Sequence, residues 1–178
     1  MSSWVITAVG PDRPGLVGRL TAPLLDSSSN VADSRMINLR GQFALLLLAE
    51  IPDGREGAVR EALLEVAREL QLDLDFHGSS EVGAMGPSVG IPYRLQIFAM
   101  DQPGIVHRIT DLLHRHGVNV EELETRSQPR PQSGAPLFSL DARITVPVER
   151  AIRELREELG QVCDDLNCDV ELVRASLA

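Results

Sequence analysis

The sequence predicts an α+β protein made of two ferredoxin-like βαββαβ domains, each an antiparallel four-stranded sheet with both helices on one face. Three observations support this: an internal repeat, alternating strand-like segments, and apolar stripes at helical spacing that recur in the same order. The segment DRPGLVGRLT at 12–21 recurs as DQPGIVHRIT at 101–110. The register holds without a gap to Asn30-Val31 and Asn119-Val120. Such a match indicates a duplicated domain.

The first two elements of each copy are a strand and a helix. Residues 4–9 and 93–100 are rich in β-forming residues and predict the strands. The following proline is expected to start the helix, with Asp12 or Asp101 as its N-cap. The residues expected on the sheet-facing stripes are Val17, Leu20 and Leu24 in copy one and Val106, Ile109 and Leu113 in copy two.

The remaining elements repeat in the same order. Asn30 and Asn119 open a second strand, and residues 43–49 and 137–146 predict the third. The third strand of copy one is almost entirely apolar, which favours a central or doubly covered position. The second helices have stripes at Val59, Leu63, Val66 and Leu70 and at Ile152, Leu155, Leu159, Val162 and Leu166. Short strands at 72–76 and 169–173 complete the copies.

The domain boundaries follow from the repeat and from composition. We expect a first domain at residues 1–80 and a second at 91–178. The segment between them, 81–90, is rich in small residues and almost uncharged, which is typical of a linker. Exposed sheet edges also predict that the copies, or copies from two chains, pair side by side or form a homo-oligomer.

Charge and composition exclude several classes of function. The formal net charge is -9, and all 17 basic residues are arginine. Without lysine there is neither a Schiff-base lysine nor a P-loop lysine, and direct nucleic-acid binding is disfavoured. No apolar run reaches the length of a membrane span and no signal peptide is apparent, so a cytoplasmic protein that does not engage a membrane is expected. Cys163 and Cys168 match no zinc or redox motif and are expected to be reduced structural thiols.

The repeated Asp-x-Pro-Gly turn is the segment most suggestive of ligand chemistry. Gly15 and Gly104 allow a ligand to approach the backbone closely. The unpaired first-turn N–H groups that follow form a natural site for a carboxylate. Arg13 would add a cation in copy one that Gln102 does not provide. The alternative is a turn that only caps a helix.

An asparagine follows each turn after fifteen residues. The side chains of Asn30 and Asn119 offer a donor and an acceptor, so they could recognise the amino and carboxylate groups of a free amino acid. The alternative is a turn residue that bonds its own backbone.

The turn, the helix and the Asn-Val strand start together resemble the ACT domain, a regulatory module that usually binds amino acids between paired copies. The likeness extends to tandem-ACT transcriptional repressors of the glycine cleavage system. It implies a regulator that responds to glycine or a similar amino acid and acts through a DNA-binding activator protein without contacting DNA. It also implies a ligand site built from the residues of the two turns and two asparagines: Asp12, Arg13, Gly15, Leu16, Asn30, Asp101, Gly104, Ile105 and Asn119.

Other functions find less support in the sequence. His107, Asp111 and His114 share a helical spacing that could hold a metal, but a solvated helix face explains the same pattern. No catalytic motif occurs, so no enzyme activity, cofactor or metal is expected. Two alternatives stay open: an interaction module without ligand binding, and the detached regulatory subunit of an enzyme of amino-acid metabolism.

Overall fold

Two compact units make up the chain in the computed structural model, which describes residues 1–78, 90–129 and 136–175. The units span Met1–Gly86 and Pro87–Ala178. The predicted linker, 81–90, lies outside the described residues apart from Gly90. The domain boundaries at 80 and 91 therefore stay a prediction.

The first unit has the element order βαββαβ. Its strands and helices are β1 (Ser2–Pro11), α1 (Leu16–Asp26), β2 (Asn30–Leu39), β3 (Gln42–Ile51), α2 (Glu56–Leu70) and β4 (Asp73–Gly78). The second unit repeats that order with β5 (Ile91–Met100), α3 (Ile105–Arg115), β6 (Asn119–Gln128), β7 (Leu137–Val146), α4 (Ile152–Asp165) and β8 (Cys168–Arg174). The predicted fold class is confirmed.

Each unit forms one antiparallel four-stranded sheet. The strand orders are β2-β3-β1-β4 and β6-β7-β5-β8. The apolar strand β3 is central, as its sequence predicts, but its side chains alternate between a buried and a more open face. The edge strands β2 and β6 are exposed along almost their whole length. Each has a register shift near its start, at Val31/Asp33 and Val120/Glu122.

The helices cover one face of each sheet and create a separate apolar core in each unit. The sequence places Val17 and Val106 on the buried stripes, and this is wrong: they are 41% and 36% exposed. Leu16 and Ile105 are buried in their place. The helices begin at these two residues, so the first helical residue lies over the sheet and the second turns outward.

The remaining features of the two units concern helix length and the cysteines. Among the described residues, no helix is long and apolar enough to cross a membrane. Cys163 and Cys168 are free thiols. Burial raises the pKa of Cys163 to about 11 and also raises the pKa of Cys168, which keeps both groups protonated at neutral pH.

Candidate functional site

The Asp-x-Pro-Gly turn leads from the first strand of each unit into the first helix. Gly15 and Gly104 are the N-caps, with left-handed φ angles of 89° and 96°. The predictions that proline starts the helix and that Asp12 and Asp101 cap it are therefore wrong. The chain needs a left-handed residue to turn into the helix, which glycine adopts without strain, and this delays the helix to the next residue.

The first helical turn presents unpaired amides in both units. Within the described residues, no backbone bond is made by the N–H groups of Leu16, Val17 and Gly18 in α1. In the part of the chain that the structure describes, no side chain makes a capping hydrogen bond at the start of either helix. Leu16 and Ile105 are buried, whereas the next two residues of each helix are exposed. Unpaired amides at the positive end of a helix dipole attract an anion.

The carboxylates of Asp12 and Asp101 are held at the end of the sheet beside the turn. Asp12 accepts a hydrogen bond from Nδ2 of Asn38, and Asp101 accepts one from Oγ of Ser127 at 2.6 Å. The backbone N–H of Asp12 donates to the carbonyl of Gly41 at 2.9 Å. The turn is thus tied to the neighbouring hairpin, and an exposed carboxylate lies just before the unpaired amides.

Asn38 and Ser127 contact the two turns, and the sequence analysis missed both residues. They occupy equivalent places at the far ends of β2 and β6. The signal was present, because Asn38 and Ser127 are separated by the same 89 residues as the two copies of the turn. To use this signal, one must know how long β2 and β6 are, because their length determines that the end of each strand, and not its start, reaches the turn.

The side chains of Arg13 and Gln102 make hydrogen bonds at the ends of helices, whereas the sequence suggests that Arg13 lies near a ligand carboxylate. Arg13 donates from Nη2 to the carbonyl of Leu70 at 2.6 Å, at the end of α2. Gln102 donates from Nε2 to the carbonyl of Leu166, at the end of α4. Both side chains satisfy a helix C-terminus, where a cation or donor is favourable. The charge of Arg13, which Gln102 lacks, therefore lies at the C-terminus of α2.

The structure separates Asn30 and Asn119 from the turns of their own units. Asn30 begins β2 and pairs with Glu50, whereas Asn38, eight residues further along, contacts Asp12. At about 3.3 Å per residue, Asn30 lies about 26 Å from that end of the strand. Asn30 donates to Glu50 at 3.1 Å and Asn119 to Glu121 at 2.7 Å. The turn and the asparagine are not brought together within one unit.

His107, Asp111 and His114 lie along α3, with His107 in its first turn. Asp111 pairs with Arg115 at 3.3 Å on α3, and His107 and His114 are exposed. Within the described residues, no group of three or more His, Cys, Asp or Glu side chains could hold a metal. His116 is buried and lies 3.2 Å from Glu158, so it joins the end of α3 to α4.

A substitution at Gly15 tests the turn geometry. Although a Cβ atom at Gly15 would meet nothing within 4 Å, its φ angle strains any L-residue. We expect Gly15→Val to lower the free energy of unfolding by about 1–3 kcal/mol, measured by chemical denaturation. Gly18→Ala is the matched control, because Gly18 lies in the same helix with open space and helical φ. We expect the control to stabilise by up to about 1 kcal/mol. Equal stability of the two variants would contradict this geometry.

Known proteins share both the fold and the repeat. The ACT domain family matches residues 3–77 and again residues 93–160. The glycine cleavage system transcriptional repressor of Escherichia coli (strain K12) is 27% identical over 166 residues, which cover 92% of this chain and 85% of the relative.

Solved structures extend the likeness. An unknown protein from Galdieria sulphuraria superposes with a TM-score of 0.87 at 27% identity, covering 98% of this chain and 99% of that one. A protein provisionally described as a glycine cleavage system transcriptional repressor gives a TM-score of 0.67 at 18% identity over 98% of both chains, which supports the fold alone. Since both halves match the same family and together span most of the sequence, the chain belongs to the ACT domain family as a tandem of two such domains.

Proposed function

We propose that this chain is an amino-acid-responsive regulator of transcription that acts through contacts with other proteins, with glycine or a similarly small amino acid as its ligand. The observation that carries the proposal is the pair of unpaired helix starts behind an exposed aspartate. A repressor relative similar over most of the chain supports the regulatory role. The net charge of -9 favours protein partners over DNA.

The two ends of a free amino acid fit the turn. The amides of Leu16 and Val17 would hold the ligand carboxylate through the helix dipole. The carboxylate of Asp12 would accept the ligand ammonium, and the equivalent groups in the second domain are Asp101 and the start of α3. The open space in front of Gly15 and Gly104 leaves room for the ligand backbone. A small amino acid suits such a site because these contacts involve only the ammonium and carboxylate groups of the ligand and not its side chain.

The placement of Asn30 explains why the complete site would need another copy of the domain. The free edge of β2 can pair with a second strand. An antiparallel β2 strand from another copy of the chain would place its own Asn30 opposite Leu39, at the end of the sheet that carries the turn. We therefore propose that pairing completes the site, with the turn from one copy and the asparagine from the other.

Calorimetry on the full chain tests ligand recognition. We expect glycine to bind, and glycinamide, which keeps the ammonium but lacks the carboxylate, not to bind. Asn30→Ala with Asn119→Ala should weaken glycine binding by about 0.5–1.5 kcal/mol, the contribution of one hydrogen bond. Serine and alanine serve as slightly larger probes.

Two results would contradict the proposed ligand recognition. If none of the common amino acids gave heat or a thermal shift, the chain would be an interaction module without a ligand. If glycinamide bound as well as glycine, the helix-start amides would not be the site of the carboxylate.

A further inference from the structure

The sheet face opposite the helices, termed here the open face, differs sharply between the two domains. The register of the strands identifies equivalent positions on these faces. In the first domain, the open face carries six apolar side chains around a single central hydroxyl residue, Thr7: Val5, Val9, Ile37, Ala44, Leu46 and Leu48. The equivalent positions in the second domain are Arg94, Phe98, Arg126, Ser139, Asp141 and Arg143.

The open face of the second domain is suited to water. Arg94 makes three hydrogen bonds of 2.5–3.2 Å to Asp141. These bonds lower the pKa of Asp141 and keep it ionised. Arg143 donates to Glu122 at 2.7 Å. The same fold therefore needs no apolar open face for its stability.

The open face of the first domain leaves large apolar side chains uncovered. Leu46 and Val9 are each 47% exposed, and Ile37 is 61% exposed. Clustered exposed apolar residues commonly mark an interaction surface. Because the second domain shows that the fold does not require them, they point to a partner.

Charged side chains flank the apolar centre in a self-complementary pattern. One row across the four strands contains Asp33, Leu48, Val5 and His77. The next row contains Arg35, Leu46, Thr7 and Asp75. In each row an acidic residue on one edge strand is matched by a basic residue on the other, and their order reverses between the rows. Along each edge strand the acidic and basic residues also contact each other, Arg35 with Asp33 at 3.1 Å and His77 with Asp75 at 3.3 Å.

We propose that the open face of the first domain packs against the same face of a second copy of this chain. A two-fold axis parallel to the strands, between β3 and β1, would place Arg35 of one copy over Asp75 of the other. It would also place Asp33 over His77, with Leu46 and Leu48 in the covered centre. Sheets pack face to face in this way when their strands are roughly aligned, about 10 Å apart.

The area is sufficient for a specific dimer. Three strands of ten residues and one of six, spaced about 4.8 Å apart with a rise of about 3.4 Å per residue, form a face of about 600 Å². Two such faces bury about 1,200 Å², the lower end of the range for stable, specific interfaces. The proposal does not depend on ligand binding at the turn.

Sedimentation equilibrium of the full chain provides the test. We expect Leu46→Glu to halve the mass of the assembly and to raise its dissociation constant by about 100-fold, because association would have to remove two carboxylates from water at the centre of the interface. Within one domain the new carboxylate faces Arg35 on the neighbouring strand, so folding should persist by circular dichroism. Phe98→Arg is the matched control, since Phe98 is 42% exposed on the open face of the second domain. It should leave the mass unchanged.

Exchange of the flanking charges tests the axis itself. Arg35 and Asp75 lie three strand spacings apart in one domain, about 14 Å, which is too far for direct contact. We expect Arg35→Asp and Asp75→Arg each to weaken association about tenfold, and the double variant to restore it. A wild-type chain that stays monomeric at concentrations on the order of 100 µM, an assembly that Leu46→Glu leaves intact, or a double variant without recovery would each overturn the proposal.

Discussion

Replacing Phe43 with alanine will lower the free energy of unfolding of the first domain by about 3–5 kcal/mol. The ring is completely buried in the first core, at the start of the central strand β3. Its removal leaves a cavity that a close-packed core fills only in part. Because small domains are commonly stable by about 5–15 kcal/mol, the variant would lose a large share of its stability.

Each domain contains its own optical probe for this measurement. Trp4, the only tryptophan, lies on β1, and Tyr93, the only tyrosine, lies on β5. We expect Phe43→Ala to shift the denaturation curve followed by tryptophan fluorescence and to leave the tyrosine signal nearly unchanged. Phe98→Ala is the control, with an expected effect within about 0.5 kcal/mol because that ring is exposed. A shift below about 1 kcal/mol for Phe43→Ala would refute the assigned core.

A double substitution of Val17 and Val106 with glutamate will weaken amino-acid binding at least tenfold. Both side chains are exposed in the first helical turn. A carboxylate there would repel the ligand carboxylate and compete for the unpaired amides. The same substitutions should stabilise the folded domains, because an acidic side chain near a helix start stabilises the helix by about 0.3–1 kcal/mol.

The opposite signs make this experiment decisive. We expect calorimetry to show weaker glycine binding while the thermal unfolding temperature stays equal or rises. The matched control replaces both valines with glutamine, which has nearly the same shape without the charge and should retain most of the affinity. If the glutamate variant bound glycine with wild-type affinity, the carboxylate site would have to lie away from the helix starts.

The sequence predicts the fold well because its strongest signals are local and repeated. The periodicity of Leu20 and Leu24 and the apolar run of β3 each determine an element, and the repeat confirms the order. The failures concern the turn. Side-chain type favours Asp12 as a helix cap, but the backbone instead uses the left-handed conformation of Gly15. Whether Asp12 or Gly15 caps the helix depends on the angle at which β1 leads into α1, which side-chain type does not determine.

The candidate site was predicted only in part, for a geometric reason. Asn30 and Gly15 are close in sequence, but a helix and a loop separate them, so they reach opposite ends of the sheet. The contacts of Arg13 with Leu70 and of Asp12 with Asn38 join residues 57 and 26 positions apart. No local sequence pattern predicts such contacts, because they depend on the register of the strands and on the packing of the helices.

The contrast between the two open faces has a consequence for how this protein has diversified. After a domain is duplicated, each copy must keep the packing that folds it, but neither must keep what it presents on the uncovered side of its sheet. Selection can then act on one surface without disturbing the other. Among relatives, positions such as Leu46 and Ile37 should therefore resist polar replacement, whereas Asp141 and Arg126 should vary as long as their charges remain balanced.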